Sequence, residues 1–263
     1  IVEAILTLFA GIEVFMVGMK MMSDGLSHGA SGGLKKVFNK IGDNRFSGVG
    51  IGALVTLIIQ SSSSTTVMVI GFVNAGIMTL FQATTIIMGA NIGTTITGVI
   101  VAFSSYNFSS YATVLSVIGV MMALFSKNET VKTVGNILTG LGLIFVGLGM
   151  MSNSLKNCKE IKDFLTNLFL KADFPLLLIL IGTLVTALFQ SSSAVTGIII
   201  TLVSQEVLLI SSALFIVLGA NIGTCITAFL ASIGSNLNAK RAALIHFLFN
   251  IFGCIVFTII CWQ

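Results

Sequence analysis

"QSSSSTTVMV" (60–69) and "QSSSAVTGII" (190–199) are two related polar tracts within long apolar stretches of the chain. Both belong to longer matched segments: GALVTLIIQSSSS (52–64) aligns with GTLVTALFQSSSA (182–194), and IIMGANIGTTIT (86–97) aligns with IVLGANIGTCIT (216–227), each at an offset of 130. Upstream, FMVGMKMMSDGL (15–26) aligns with IFVGLGMMSNSL (144–155) at an offset of 129. Because the segments keep the same order in both halves, we predict an internal duplication with repeats at 1–130 and 131–263.

The composition predicts a polytopic membrane protein. Of 263 residues, 56% are hydrophobic and 8% are charged, whereas soluble domains carry about 25% charged residues. The uncharged stretches 46–126, 133–155, 174–205 and 207–239 each exceed the about 20 residues that a spanning helix needs. Continuous apolar runs favour helices over the alternating strands of a β-barrel. We therefore expect an all-α, multi-pass protein of the cell membrane.

The charged residues and the chain ends add two expectations. The net charge of +4 comes from basic residues between the apolar runs, such as Lys35 and Arg45. They form no basic stripe interleaved with aromatics, so the bilayer surface is the expected partner and nucleic acid is not. The chain starts at Ile1, and Gln263 directly follows an apolar run, so we expect the natural protein to continue at both ends.

Two basic connectors follow the first span of each repeat. The first places Leu34, Val37, Phe38 and Ile41 at helical spacing, and the second does the same with Leu155, Cys158, Ile161, Phe164, Leu165 and Leu168. This pattern predicts amphipathic helices, either in the plane of the membrane interface or packed on the protein.

The topology of the two repeats depends on the Gln-Ser tracts, which are residues 60–63 and 190–193. If each tract is the tip of a re-entrant hairpin, three crossings remain in each repeat, and the second repeat is inverted relative to the first. If each tract spans the membrane, the repeats are parallel.

The polar tracts are expected to interrupt their helices and to bind ions. Irregular backbone survives in a membrane only where protein or a polar cavity covers it, and both the Gln-Ser tracts and the GANIGT tracts (89–94 and 219–224) contain poor helix formers. Broken helices expose carbonyl oxygens that suit a hard cation such as sodium, and N–H groups that suit an oxyanion. No Lys or Arg is close in sequence to either tract, so a co-bound cation is the expected counter-charge.

Other polar and small residues have simpler interpretations. Gly140, Gly142, Gly147 and Gly149 are expected to allow close helix packing. His246 and Asn250 share a helix face and are interpreted as hydrogen-bonded core residues. The four cysteines have no metal-site or disulfide-framework spacing and are interpreted as small apolar side chains.

With both motifs duplicated, the chain resembles the type II sodium–phosphate cotransporter family, in its bacterial form. The resemblance rests on QSSS at 60–63 and 190–193 and on GANIGT at 89–94 and 219–224. It implies two inverted-topology repeats with re-entrant hairpins and broken helices, an elevator-like transporter of the inner membrane. A soluble PhoU-like domain after the membrane part is an open expectation, and so is a homodimer.

The family resemblance also implies a site and a function. The function is sodium-coupled transport of inorganic phosphate by alternating access, without catalysis and with sodium as coupling ion rather than a cofactor. Sodium is assigned to Gln60, Ser63, Asn91, Gln190, Ser193 and Asn221. The complete set expected to bind sodium and phosphate is Gln60, Ser61, Ser62, Ser63, Asn91, Thr94, Thr95, Gln190, Ser191, Ser192, Ser193, Asn221 and Thr224.

Three alternatives stay open. The transported anion is sulfate, arsenate or a dicarboxylate; or the protein is a passive channel; or it is an intramembrane serine hydrolase that uses a tract serine with His246 as base. The hydrolase is the least expected, since a single nucleophile does not require a duplicated tract.

Overall fold

The computed structural model describes residues 2–38, 44–102, 109–171 and 174–261, with side chains for all of these except 31–38, 109–110 and 171. These ranges form twelve α-helices. In chain order they are α1 (Val2–Phe38), α2 (Arg45–Ile59), α3 (Ser62–Asn74), α4 (Leu80–Gly93), α5 (Thr95–Ala102), α6 (Ser109–Phe125), α7 (Glu129–Asn157), α8 (Lys159–Lys171), α9 (Pro175–Phe189), α10 (Ser192–Ser204), α11 (Ile210–Ser232) and α12 (Leu237–Cys261). Five helical stretches are long and apolar enough to cross a membrane: Val2–Ala30, Leu80–Ala102, Glu129–Asn157, Ile210–Ser232 and Leu237–Cys261.

Each Gln-Ser tract interrupts a helix, as predicted. Between α2 and α3 the chain reverses at residues 60–61, because the hydroxyls of Thr56 and Thr65 lie 3.0 Å apart; α9 and α10 are interrupted at the equivalent residues 190–191. The hairpin arms contain 15 and 13 residues, which at about 1.5 Å per residue gives arms of about 20 Å. Because the hydrocarbon layer is about 30 Å thick, the arms are too short to span it.

The predicted break at the GANIGT tracts is wrong for the second copy. Helix α11 runs through residues 219–224 without interruption, and in the first copy only Thr94 separates α4 from α5. Thr94 keeps right-handed helical angles (φ −64°, ψ −22°), and its N–H donates to the carbonyl of Ala90. The backbone therefore stays paired within the helix, and these tracts offer side chains rather than free carbonyls.

The chain divides into two compact units that cut across the sequence repeats. Unit 1 comprises 1–30, 98–173 and 196–213, and unit 2 comprises 31–97, 174–195 and 214–263. Each unit thus contains segments of both repeats.

In unit 1, the first helices of the two repeats pack together through glycines. A Cβ on Gly18 would lie 2.7 Å from the carbonyl oxygen of Gly140, and one on Gly11 would lie 2.9 Å from that of Gly147. Since the earlier glycine of α1 meets the later glycine of α7, the helices run antiparallel. Gly11 and Gly18 precede Gly140 and Gly147 by 129 positions, so the two contacts are equivalent. The predicted packing role of Gly140 and Gly147 is confirmed.

Helix α8, the second connector, has one face packed on unit 1 and one exposed face. Cys158 and Ile161 are buried in a cluster with Leu155 and Val207. In contrast, Phe164 is 66% exposed and Leu168 is 50% exposed. The buried face agrees with the prediction of a helix packed on the protein, whereas a position in the plane of the membrane interface stays a prediction. In the first connector, Leu34, Val37, Phe38 and Ile41 lie outside the residues whose side chains are described.

In unit 2, the two repeats use the same helix packing. Gly52 of α2 faces the carbonyl of Ile86 in α4, and Gly182 of α9 faces the carbonyl of Ile216 in α11. Gly52 and Gly182 are 130 positions apart, and so are Ile86 and Ile216. This packing brings the end of each first hairpin arm to the level of its GANIGT tract.

Helix α12 closes unit 2 against the first repeat. Ala239, Ala242 and Ala243 are buried in one cluster with side chains of α3 and α4 such as Val69 and Ile86. The helix starts at Asn236, whose side-chain oxygen accepts from the N–H of Ala239 at 2.9 Å. Small residues on this face allow α12 to approach the helices that carry the first polar tracts.

Candidate functional site

Both hairpin tips place a glutamine in a strained backbone conformation. Gln60 has φ 58° and ψ 24°, and Gln190 has φ 54° and ψ 24°. A non-glycine residue in this left-handed region costs about 1–2 kcal/mol, and strain of this kind is concentrated at functional sites. Glycine would fit the turn without that cost. The retention of glutamine at both tips therefore suggests that its side chain is used.

The first serine of each tract begins the second hairpin arm. The hydroxyl of Ser61 accepts from the N–H of Ser64 at 3.1 Å, and that of Ser191 accepts from the N–H of Ala194 at 3.2 Å. Both serines are N-caps, which explains why a helix starts directly after a left-handed residue. The remaining N–H groups of this first turn and the helix dipole create a positive environment at each tip.

A wide-open cavity of about 530 Å³ lies at the hairpin tips of unit 2 and is lined by residues of both repeats. It brings together the predicted residues Ser61, Ser63 and Gln190. The rest of the lining was not predicted: Ser64, Val67, Met68, Thr227 and Leu230. The described lining has four hydroxyls and an amide but no charged side chain, which fits the expected neutral site.

Gln60, in contrast with the exposed Gln190, is buried and its amide is engaged. Its Nε2 donates to the carbonyl of Leu57 at 2.6 Å, and its Oε1 accepts from the hydroxyl of Thr97 at 3.0 Å. Thr97 was not among the predicted residues, although it ends the matched segment 86–97. Its counterpart Thr227 donates instead to the carbonyl of Thr224. The two glutamines are thus held differently.

The helical turns next to the two tips are also asymmetric. In the first copy, the hydroxyl of Thr56 donates to that of Thr65 at 3.0 Å, within a buried pair. In the second copy, Thr186 corresponds to Thr56, but Val195 stands at the position of Thr65. The hydroxyl of Thr186 is consequently buried without a hydrogen-bond partner among the described residues. Only the first hairpin has a polar link between its arms at this level.

The GANIGT tracts are only partly available to a ligand. The hydroxyls of Thr94 and Thr224 donate to carbonyls of their own helices, at 3.1 and 2.9 Å. Asn91 is half-buried and its Nδ2 donates to Oδ1 of Asn250 in α12 at 3.3 Å. Asn221 is exposed.

The remaining predicted residues do not line the cavity. Thr95 is exposed, and Ser62, Ser192 and Ser193 are buried.

The interpretation of His246 and Asn250 as hydrogen-bonded core residues is confirmed for Asn250 alone. Asn250 is 6% exposed and bonds to two neighbouring helices as well as to its own. The Nδ1 atom of His246 is buried without a hydrogen-bond partner in the described part of the chain. No hydrogen bond joins His246 to a tract serine there, so the nucleophile–base pair required by the hydrolase alternative is not formed among these residues.

The comparisons with known proteins agree on one family. The family described as Na+/Pi-cotransporter matches residues 14–153 and 158–260. The uncharacterized protein YqeW of Bacillus subtilis is 31% identical over 242 residues, which cover 92% of this chain and 78% of that protein. YjbB of Escherichia coli K12, provisionally named an inorganic phosphate export protein, is 27% identical over 252 residues, which cover 96% of this chain and 46% of YjbB.

A human relative matches a shorter region. Sodium-dependent phosphate transport protein 2B of Homo sapiens is 35% identical over 128 residues, which cover 44% of this chain and 18% of that protein. The chain therefore spans about half the length of YjbB and less of the human protein. No solved structure matches the chain. With the family match in both halves and helices that can cross a membrane, the chain is a multi-pass membrane protein that belongs to the Na+/Pi-cotransporter family.

Proposed function

We propose that this protein transports inorganic phosphate across the inner membrane, coupled to sodium, by alternating access. The observation that carries the proposal is the neutral cavity of unit 2, in which Ser61 and Ser63 of one repeat meet Gln190 of the other. The names of two relatives support phosphate as the substrate: YjbB is named for phosphate export and the human protein for sodium-dependent phosphate transport.

The chemistry of the cavity suits an oxyanion. Ser63 and Ser64 can donate hydrogen bonds, and the first turn of α3 directs its N–H groups and its dipole toward the tip. A helix N-terminus stabilises a negative charge by about 0.3–1 kcal/mol, and by up to about 2 kcal/mol in partly buried sites. A charge at the bilayer centre costs at least about 2.5–3.5 kcal/mol. The neutral donors therefore need a cation as counter-charge, and this need is the physical basis of the proposed coupling.

Neutral oxygens would hold the sodium ion, because sodium is a hard cation. Gln190, whose side chain is exposed, supplies an amide oxygen at the cavity. The oxygens of Asn91, Asn221, Ser63 and Ser193 complete the proposed set, together with the second lone pair of Gln60 Oε1.

Inverted repeats with a re-entrant hairpin in each are part of the proposal. Two observations support them: α1 and α7 occupy equivalent positions in the repeats yet run antiparallel, and the hairpin arms are shorter than the hydrocarbon layer is thick. Inverted repeats place a shared site near the bilayer midplane, where it can open to either side. The family resemblance supports an elevator-like movement of that site.

Radiolabelled phosphate flux in proteoliposomes tests the function. We expect an inward sodium gradient to accelerate uptake relative to a choline gradient, and Gln190→Ala to reduce the sodium-driven rate at least about tenfold, the usual loss for a positioned ligand. Ser47→Ala, at an exposed position in the first turn of α2, is the control and should match the wild type. Equal flux in sodium and choline would refute sodium coupling.

A second anion is a specific alternative. The cavity volume of about 530 Å³ falls in the range of about 300–1,000 Å³ found for pockets that bind small organic ligands, so a dicarboxylate also fits by size. Competition of unlabelled sulfate, arsenate and succinate against labelled phosphate distinguishes these substrates. Stronger competition by any of them than by unlabelled phosphate would reassign the substrate.

A further inference from the structure

Asn250 of α12 is a buried amide that connects the helices of both GANIGT tracts. Its Oδ1 accepts from Nδ2 of Asn91, in the first tract, at 3.3 Å. Its Nδ2 lies 3.4 Å from Sγ of Cys225, the residue that directly follows the second tract. The same Nδ2 donates to the carbonyl oxygen of His246 at 2.8 Å. All four residues belong to unit 2.

The hydrogen bond to His246 determines which way both amides point. A backbone carbonyl can only accept a hydrogen bond, so the NH₂ group of Asn250 must face His246 and its oxygen must face Asn91. The amide group of Asn91 must then donate its own NH₂ to that oxygen. Oδ1 of Asn91 is then left as an acceptor that no hydrogen bond engages among the described residues.

We propose that Asn250 is a positioning residue that fixes the amide of Asn91 with its oxygen directed to the sodium ion. This role rests on the proposed function, in which Asn91 is a sodium ligand. The oxygen and NH₂ ends of the Asn91 amide have nearly the same shape. Without the hydrogen bond to Asn250, the amide can therefore turn over and place its NH₂ end toward the cation. Residues that orient a metal ligand in this way typically contribute about 10–100-fold to metal affinity.

Among the residues that the structure describes, the second tract has no equivalent partner. Asn250 reaches it only through Cys225, whose thiol lies 3.6 Å from the backbone carbonyl of Asn221 and not from its amide group. In the closing helix of the first repeat, Val120 lies 130 positions before Asn250. The inference therefore assigns an oriented amide to the first copy alone, so the two asparagines contribute unequally to sodium binding.

The sodium dependence of phosphate uptake tests this role. We expect Asn250→Leu, which keeps the branched shape but removes the hydrogen bonds to Asn91, Cys225 and His246, to raise the sodium concentration for half-maximal uptake by about tenfold. The maximal rate per folded transporter at saturating sodium should stay near the wild-type value. Thr258→Val is the matched control, because Thr258 is buried on the same helix and its hydroxyl lies 3.9 Å from Sγ of Cys254 within that helix; the half-saturation of this variant should not change.

A double mutant separates positioning from a structural effect. If Asn250 acts through Asn91, then Asn250→Leu should add nothing to the sodium half-saturation of Asn91→Ala, so that the double mutant equals the Asn91→Ala single mutant. Additive effects would overturn the proposal, as would a loss of maximal rate at unchanged half-saturation. Asn250→Ala is the second variant, since it removes the amide without adding bulk, and it should give the same shift.

The remaining outcomes are also decisive. Failure of both Asn250 variants to yield folded protein would assign the residue to the core and overturn the proposed role. Sodium-dependent uptake by the wild type with an unchanged half-saturation in Asn250→Leu would refute this inference alone. A wild type without sodium-dependent uptake would refute the proposed function and this role with it.

Discussion

Replacing Gln190 by glycine should make the protein more stable and less active. The residue has φ 54°, and this left-handed conformation costs about 1–2 kcal/mol for a residue with a Cβ. Glycine adopts it freely but loses about 0.5–1 kcal/mol more entropy on folding. The exposed side chain of Gln190 makes no large packing contribution, so the net gain is about 0.5–1 kcal/mol, or about 1–4 °C in Tm for a chain of this size.

The same change at Glu206 is the matched control. Glu206 has φ 58° and lies outside the polar tracts. Its ion pair with Lys162 has a long N–O distance of 4.0 Å and the Glu206 side chain is 89% exposed, so losing the pair costs little. Glu206→Gly should therefore raise Tm by a similar amount while leaving phosphate uptake unchanged.

Two measurements decide this prediction: thermal unfolding of the purified variants, followed by circular dichroism, and sodium-driven phosphate uptake. The expected result is a rise in Tm for both variants and a loss of uptake, by at least about tenfold, for Gln190→Gly alone. Full uptake by Gln190→Gly would show that the amide is not needed, and the strain would then have no functional explanation. A fall in Tm would show that the amide stabilises the hairpin.

Other predictions concern packing and the buried glutamine. Gly18→Ala should destabilise the protein by about 1–3 kcal/mol, because the new methyl group would collide with the backbone of α7. Gly253 has no neighbour within 4 Å, so Gly253→Ala should instead stabilise α12 by about 0.5–1 kcal/mol. Thermal unfolding of the two variants measures both effects. Thr97→Val should destabilise by about 1–3 kcal/mol because it leaves the buried Oε1 of Gln60 without its donor. Thr84→Val, which removes only a bond to its own helix, should have a clearly smaller effect on Tm. A Thr97→Val variant as stable as Thr84→Val would contradict the role given to that donor.

The duplication and the two helix breaks at the Gln-Ser tracts could be predicted because they depend on local sequence. A run of Gln and Ser between apolar segments cannot continue a membrane helix at low cost, and the serine that caps the next arm is part of the same run. The matched segments 52–64 and 182–194 then predicted the second hairpin from the first. These features need no knowledge of distant contacts.

The unbroken second GANIGT tract could not be predicted from helix propensity. Gly219 and Gly223 are poor helix formers, yet they face carbonyl groups of Ile179 and Thr183 in α9, where a side chain would prevent close approach. Tertiary packing thus outweighs an intrinsic cost of about 1 kcal/mol per glycine.

The partners of the polar tracts were missed for a different reason. Thr97 meets Gln60 from 37 positions away, and Asn250 meets Asn91 from 159 positions away. Repeat matching shows that a threonine or an asparagine is present, but not which side of its helix faces the hairpin. The rotation of α5 and α12 about their axes decides these contacts, and it is set by packing across unit 2.

The glycine contact between α1 and α7 carries a consequence for separated halves of the chain. Gly11 is equivalent to Gly140, and Gly18 is equivalent to Gly147. Gly11 contacts Gly147 and Gly18 contacts Gly140, so α1 and α7 use the same surface to contact each other. An isologous contact of this kind is what joins two identical subunits across a two-fold axis. Two separate half-length chains that carry this glycine surface are therefore expected to pair through it, as the first helices of the two repeats do within one chain.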